Sequence, residues 1–194
     1  MLVVDLTRYL PGELVEGTAA EWAPETYRQA GELLAAFHGQ FAVPDEGYEA
    51  RENQRVLDNL RKSHTIAPEL AGRLRSEVES WPTPPATLVP THGDWQPRNW
   101  LIDNDTVGVI DFGRADLRPA YTDFARLAAQ QFRSNPALEP AFLDGYGPDP
   151  RDPDTWHRAR LREAVNTAVW AHQVGDTAFE QQGHQMITAA LTEP

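Results

Sequence analysis

Cysteine is absent from the 194 residues, which rules out disulfides, thiolate nucleophiles and Cys-ligated zinc or iron-sulfur centres. Lysine is almost absent: sixteen of the seventeen basic residues are Arg, and the only lysine is Lys62. No apolar run approaches the roughly 18 residues that a bilayer-spanning helix needs. The first residues, Met1-Leu2-Val3-Val4-Asp5, lack the basic segment that opens a secretory signal. A cytoplasmic protein without a membrane partner is the expectation. No cluster of basic residues offsets the net charge of -12, and so negative a chain repels phosphate backbones and anionic lipid. Nucleic acid is therefore not an expected partner. Internal repeats and low-complexity tracts are also missing.

What is present fits a packed fold. Hydrophobic residues make up 41%, with six Trp, seven Phe and five Tyr, and a domain of this size buries roughly 70% of its unfolded surface. Sixteen Pro and thirteen Gly break it into many elements. Leu2 to Leu6 reads as a short buried strand, closed by the turn residues Leu10-Pro11-Gly12. Pro24 suits the first position of a helix in which Tyr27, Ala30, Leu34, Phe37 and Phe41 recur at steps of three and four, ending near Gly39. Two more helices are predicted, around Glu49 to Lys62 and from Pro68 to Ser80, the latter with Leu70, Leu74 and Val78 on one face.

The period then changes. Thr87-Leu88-Val89, Trp100 to Asp103 and Thr106 to Ile110 read as short strands, with Asn104-Asp105 as a two-residue hairpin turn. Helical patterning returns with Tyr121, Phe124, Leu127 and Ala128, then Leu138, Phe142 and Tyr146. An acidic Gly/Pro loop, Gly145 to Asp154, precedes a helix capped by Asp152 and started by Pro153, with Leu161, Val165, Ala168 and His172 on one face. A last helix carries Phe179, Ile187 and Leu191. Asp144, Asp149, Asp152 and Asp154 suit a solvated loop better than a site for a cationic substrate. His38, His157, His172 and His184 lie scattered on helices and are assigned no function.

The stretch that bears chemistry is Thr91-His92-Gly93-Asp94-Trp95-Gln96-Pro97-Arg98-Asn99, followed by the hairpin and Ile110-Asp111-Phe112-Gly113. A two-residue turn at Asn104-Asp105 sets Asp103 against Thr106 and carries Asn99 opposite Ile110, with Asp111 as near neighbour. An amide oxygen and a carboxylate meeting there are hard ligands suited to Mg²⁺. Asp94, five residues before Asn99, is placed to accept a hydroxyl proton and orient the attacking oxygen. Trp95 and Trp100 are expected to support the loop.

These two motifs together resemble the catalytic loop and metal-binding motif of protein-kinase-like enzymes. Gly93, and Pro97 two residues before the Asn, are similar to the aminoglycoside phosphotransferase family. Pro119-Ala120-Tyr121-Thr122-Asp123-Phe124-Ala125 and Gly31-Glu32-Leu33-Leu34-Ala35-Ala36-Phe37-His38 are similar to it as well. The resemblance implies an α+β, mostly helical fold: a protein-kinase-like C-lobe around a small catalytic β-hairpin. It implies transfer of the γ-phosphoryl group of ATP or GTP to a hydroxyl of a small molecule such as an aminoglycoside or other antibiotic, an amino alcohol or a sugar. Asp94 is then the catalytic base, Asn99 and Asp111 the Mg²⁺ ligands, and His92 and Asp123 supports of the loop. Val4, Asp5 and Leu6 become the hinge strand that faces adenine.

Two departures accompany the resemblance. Arg98 stands where a small residue is more usual. The phosphate-binding loop and strand lysine that the family uses upstream of the hinge have no counterpart, since the hinge begins at residue 2, no Gly-x-Gly-x-x-Gly occurs, and Lys62 sits in a predicted helix. The expectation is a hinge and linker remnant over residues 1–12 and a C-lobe over residues 13–194, with the N-lobe absent. Such a chain alone should bind Mg-nucleotide weakly and transfer little phosphate. Its inner face would be open to self-association or to a partner covering the missing lobe. The alternative is a catalytically inactive fragment or pseudokinase-like binding module.

Overall fold

The computed structural model describes residues 10–192, and the expected hinge strand with Val4, Asp5 and Leu6 lies outside them. Along the chain, β1 (Glu13–Leu14) precedes α1 (Pro24–His38), β2 (Val43–Asp45), α2 (Tyr48–Asn59), α3 (Pro68–Ser80) and β3 (Ala86–Thr91). Next come β4 (Trp100–Asp103), β5 (Thr106–Val109) and β6 (Asp116–Arg118). Helices α4 (Ala125–Ala129), α5 (Gln131–Ser134), α6 (Leu138–Tyr146), α7 (Pro153–Val174) and α8 (Thr177–Thr192) complete a mostly helical α+β fold with small sheets. Among the described residues no helix is long and apolar enough to cross a membrane.

Proline fixes where three of the helices begin. Pro24, Pro68 and Pro153 each occupy a first helical position, where a missing N–H costs nothing and the ring presets φ. At α7 the Asp152 carboxylate accepts from Thr155 N at 3.1 Å, which satisfies one of the orphan donors of the first turn. Gly175 ends the helix with a φ of 77°.

The chain forms two compact units, one made of the residues up to Phe41 together with Pro90–Asp149, the other of Ala42–Val89 with the residues from Pro150 onward. In the second unit α7 and α8 pack along each other and α2 and α3 complete the layer. Leu74, Val78, Leu161, Val165 and Ile187 form its core, while β2 pairs with β3 antiparallel, Val43 opposite Leu88. Charged side chains are buried here together: Arg162 donates to Glu49 Oε2 at 2.6 Å and to Asn53, and Arg158 lies 3.9 Å from the same Glu49 oxygen.

The first unit is built from aromatic residues. Trp100, Tyr27, Phe124 and Phe142 are fully buried; Tyr27 meets Trp100 edge to face at 5.3 Å, and Phe124 meets Phe142 the same way at 5.3 Å, geometries that suit the ring quadrupoles. On α1 the buried face runs through Tyr27, Ala30, Leu34 and His38. Phe41, expected on that face, lies beyond the helix and is exposed. The last step from Leu34 is four residues, so His38 rather than Phe37 continues the stripe.

Helices α1 and α6 cross with their backbones almost touching. A methyl on Gly145 would lie 1.8 Å from the Arg28 carbonyl oxygen, and one on Gly31 would lie 2.2 Å from that of Phe142. Gly145→Ala is expected to destabilise the protein by about 1–3 kcal/mol or more, because backbone has to move. Gly72→Ala, in α3 with nothing within 4 Å of the added methyl, is expected to raise stability by up to ~1 kcal/mol. Thermal melting of the two variants checks the pair, and equal shifts would refute the close crossing.

Candidate active site

The hairpin has the register that its turn dictates. Asn104 and Asp105 both take positive φ, 46° and 63°, as a two-residue turn matching the strand twist requires. Asp103 pairs with Thr106 and Trp100 with Val109. Beyond the last ladder pair, Ile110 N donates to Asn99 O at 3.0 Å. The other side of Ile110 is tied down as well, since His92 Nε2 donates to Ile110 O at 3.0 Å while His92 Nδ1 faces Asp94 N at 3.3 Å. The loop and the strand leading to Asp111 are thereby joined through one imidazole.

Glycine is needed at position 93. Its φ is 78°, and a Cβ there would stand 2.5 Å from the Arg114 carbonyl oxygen, so both the left-handed backbone and the close approach exclude a side chain. Beneath the loop, Trp95 and Trp100 are buried, with the Trp95 ring edge-on to His92 at 5.4 Å. They support the loop.

Asp94 is buried and its carboxylate is surrounded by donors. Oδ2 accepts from Arg98 Nη2 at 2.6 Å and Asn99 Nδ2 at 3.1 Å. Oδ1 meets Arg126 Nε at 2.7 Å and accepts from Gln96 Nε2. Burial pushes the carboxyl up, but the Arg98 hydrogen bond, the Arg126 charge and the Asn99 amide together outweigh it and hold it below the usual carboxylate range. Asp94 is thus an anion held in place.

Asp123 anchors the loop from below. Oδ2 accepts from His92 N and Oδ1 from Gly93 N, each at 2.7 Å, and His38 Nε2 lies 3.1 Å from Oδ2. The other ring nitrogen of His38 is 2.9 Å from Tyr146 Oη. Burial, with help from the Asp123 and Asp149 charges, pushes the Tyr146 phenol up to about 12. The sequence pattern gives His38 no function, and the signal it carries is its place on the buried stripe of α1. Arg126 and Gln96 were also missed. The one hint for Arg126 is its position three residues after Asp123, but nothing in the sequence aims it at Asp94.

Asn99 and Asp111 are brought to the same end of the hairpin by the backbone, but no hydrogen bond joins their side chains. Asn99 spends its amide nitrogen on Asp94, including a 2.8 Å bond to the backbone oxygen, and among the described residues none donates to its Oδ1. Asp111 is exposed and left-handed, φ 63° and ψ 65°, with Oδ1 accepting from Gly113 N at 3.3 Å. Among the described residues no group of three or more His, Asp or Glu could hold a metal. In donor type, an amide oxygen and a carboxylate suit Mg²⁺, which leaves its remaining positions to water and phosphate. Lys62, expected within a helix, lies beyond the end of α2 and donates to Asn59 Oδ1 at 2.7 Å.

A helical lobe carrying a His-Gly-Asp loop and an Asp-Phe-Gly turn on either side of a hairpin defines a protein-kinase-like phosphotransferase fold. The sequence pattern of the phosphotransferase enzyme family matches residues 2–163. The chain belongs to that family and is, at family level, a small-molecule kinase. No curated protein matches the chain at a significant level.

Among solved structures, a glucosamine kinase is similar with a TM-score of 0.64 and 18% identity, covering 90% of this chain and 55% of its own. The choline kinase LicA from Streptococcus pneumoniae has a TM-score of 0.63 and 14% identity over 88% of this chain and 65% of its own. The macrolide 2'-phosphotransferase MphH from Brachybacterium faecium has a TM-score of 0.56 and 19% identity over 96% and 68%. At these identities the likeness shows the fold. The chain spans roughly half to two thirds of the length of these relatives.

Proposed function

We propose that this chain is the catalytic lobe of an ATP- or GTP-dependent kinase that phosphorylates a hydroxyl of a small molecule: an aminoglycoside or other antibiotic, an amino alcohol or a sugar. The observation that carries the reading is the contact of the Asp94 carboxylate with Asn99 at the end of the hairpin that leads into Asp111. Asp94 takes the proton of the acceptor hydroxyl as that oxygen bonds to the γ-phosphorus. The bond from phosphorus to the bridging oxygen breaks, and its electron pair leaves with the nucleoside diphosphate. Asn99 Oδ1 and Asp111 would hold Mg²⁺, which supplies neutralisation of phosphate charge when bound. Asp123 and His92 keep the loop in place. The left-handed backbone of Asp111, a conformation costing about 1–3 kcal/mol, supports a functional role for that carboxylate.

One observation favours a second reading. Both Asp94 oxygens are engaged by guanidinium groups, as they would be in a lobe that binds ligands without turnover. Incubating the chain with Mg-ATP or Mg-GTP and a panel of aminoglycosides, macrolides, amino alcohols and amino sugars decides between them. Phosphate transfer to one acceptor class at a low rate, abolished by chelating Mg²⁺, is the expected result, in keeping with a lobe that by itself binds nucleotide weakly and transfers little phosphate. Nucleotide binding with no transfer to any acceptor would select the second reading, and the absence of both would end the first.

A further inference from the structure

Asp94 has two guanidinium partners that are not equivalent. Arg126 lies on α4 with a side chain 22% exposed, whereas Arg98 lies on the short turn before Asn99 and is 47% exposed. Arg98 touches Asp94 through a single nitrogen, Nη2, which leaves most of its five-donor fork unspent. Gln96 and Arg126 remain on Oδ1 if Arg98 leaves, and Asn99 keeps its bond to the Asp94 backbone oxygen. Departure of Arg98 therefore opens one of the two acceptor sites of Oδ2, with Asn99 Nδ2 still at 3.1 Å on the other, without loosening the loop.

The charges around Asp94 do not balance. Among the described residues the Asp94 carboxylate is paired with two guanidiniums, so these three groups together carry one excess positive charge that an anion can take up. A planar guanidinium matches a phosphate more closely than any other side chain does. The only lysine of the chain is spent elsewhere, on Asn59. With Arg98 and Asn99 both donating to Oδ2, its two lone-pair sites are taken, and an acceptor hydroxyl needs one of them.

Building on the kinase reading above, we infer that Arg98 works in two positions: paired with Asp94 at rest, and on the terminal phosphate of the donor once it binds, which frees Asp94 Oδ2 for the acceptor hydroxyl. Donor arrival and base exposure become one event. Arg126 stays on Oδ1 throughout and keeps the carboxylate oriented.

Calorimetric titration of the full chain and its variants with Mg-ATP, Mg-tripolyphosphate and AMP tests this directly. Asp94→Asn removes the competitor for Arg98, so it should bind Mg-ATP and Mg-tripolyphosphate about tenfold tighter than the unmodified chain, the size of one charge-assisted hydrogen bond. Arg98→Gln should bind them about tenfold more weakly, Arg98→Lys should fall between, and the double variant should match Arg98→Gln. AMP affinity should not change in any of them. A gain of affinity in Asp94→Asn cannot come from misfolding. Unchanged affinity in Asp94→Asn, a gain that survives Arg98→Gln, or equal losses for ATP and AMP would overturn the two-position role while leaving the kinase reading intact. No heat from Mg-ATP and no transfer by the unmodified chain would overturn both.

Discussion

Replacing Asp94 with Ala is expected to lower phosphate transfer by roughly 10²- to 10⁴-fold, the range for loss of a positioned proton acceptor. The carboxylate is buried and held by four donor groups, so its position does not depend on the substrate. It is also ionised well into the acid range, held there by Arg98, Arg126 and Asn99 against the opposing effect of burial. An alanine leaves a loop of similar shape that can no longer take a proton. Single-turnover measurement with the acceptor found in the panel checks this. A decrease smaller than tenfold would remove Asp94 from the proton transfer and leave it only an electrostatic role.

The second large effect is structural. Asp123→Ala is expected to destabilise the protein by about 3–5 kcal/mol, the cost of removing one partner from a buried charged hydrogen-bond group. The carboxylate satisfies the amides of His92 and Gly93 and faces His38. An alanine leaves the buried His92 amide without an acceptor and His38 without its carboxylate. The melting midpoint should fall by roughly 10 °C, followed by Trp fluorescence because Trp95 and Trp100 lie under the loop. Asp123→Asn keeps one acceptor oxygen and should lose less. A change below about 1 kcal/mol for the alanine variant would show that other contacts hold the loop.

The hairpin was legible because its rules are local. A two-residue turn fixes the register, so Asn104-Asp105 was enough to set Asp103 against Thr106 and Asn99 against Ile110. Helix starts were legible for the same reason, each Pro acting on its own backbone. The ring of donors around Asp94 was not. Arg98 was noticed as a departure from the family, but its direction depends on a turn whose geometry the residue types do not state. Arg126 and His38 come from helices distant in sequence, and only tertiary packing turns them toward Asp94 and Asp123. The interleaving of the two units was hidden as well, since a chain that leaves a unit and returns carries no composition change at the crossing.

The glycine contact between α1 and α6 reaches further than helix packing. His38 ends α1 and Tyr146 ends α6, immediately after Gly145, and the two side chains meet at 2.9 Å beside Asp123. At Gly31 and Gly145 backbone meets backbone, so at those two points no side chain lies between the helices to absorb a displacement. The crossing therefore acts as a fulcrum with almost no play: a shift of either helix is passed on undamped to His38, to the carboxylate it faces, and from there to the two amides that hold the loop.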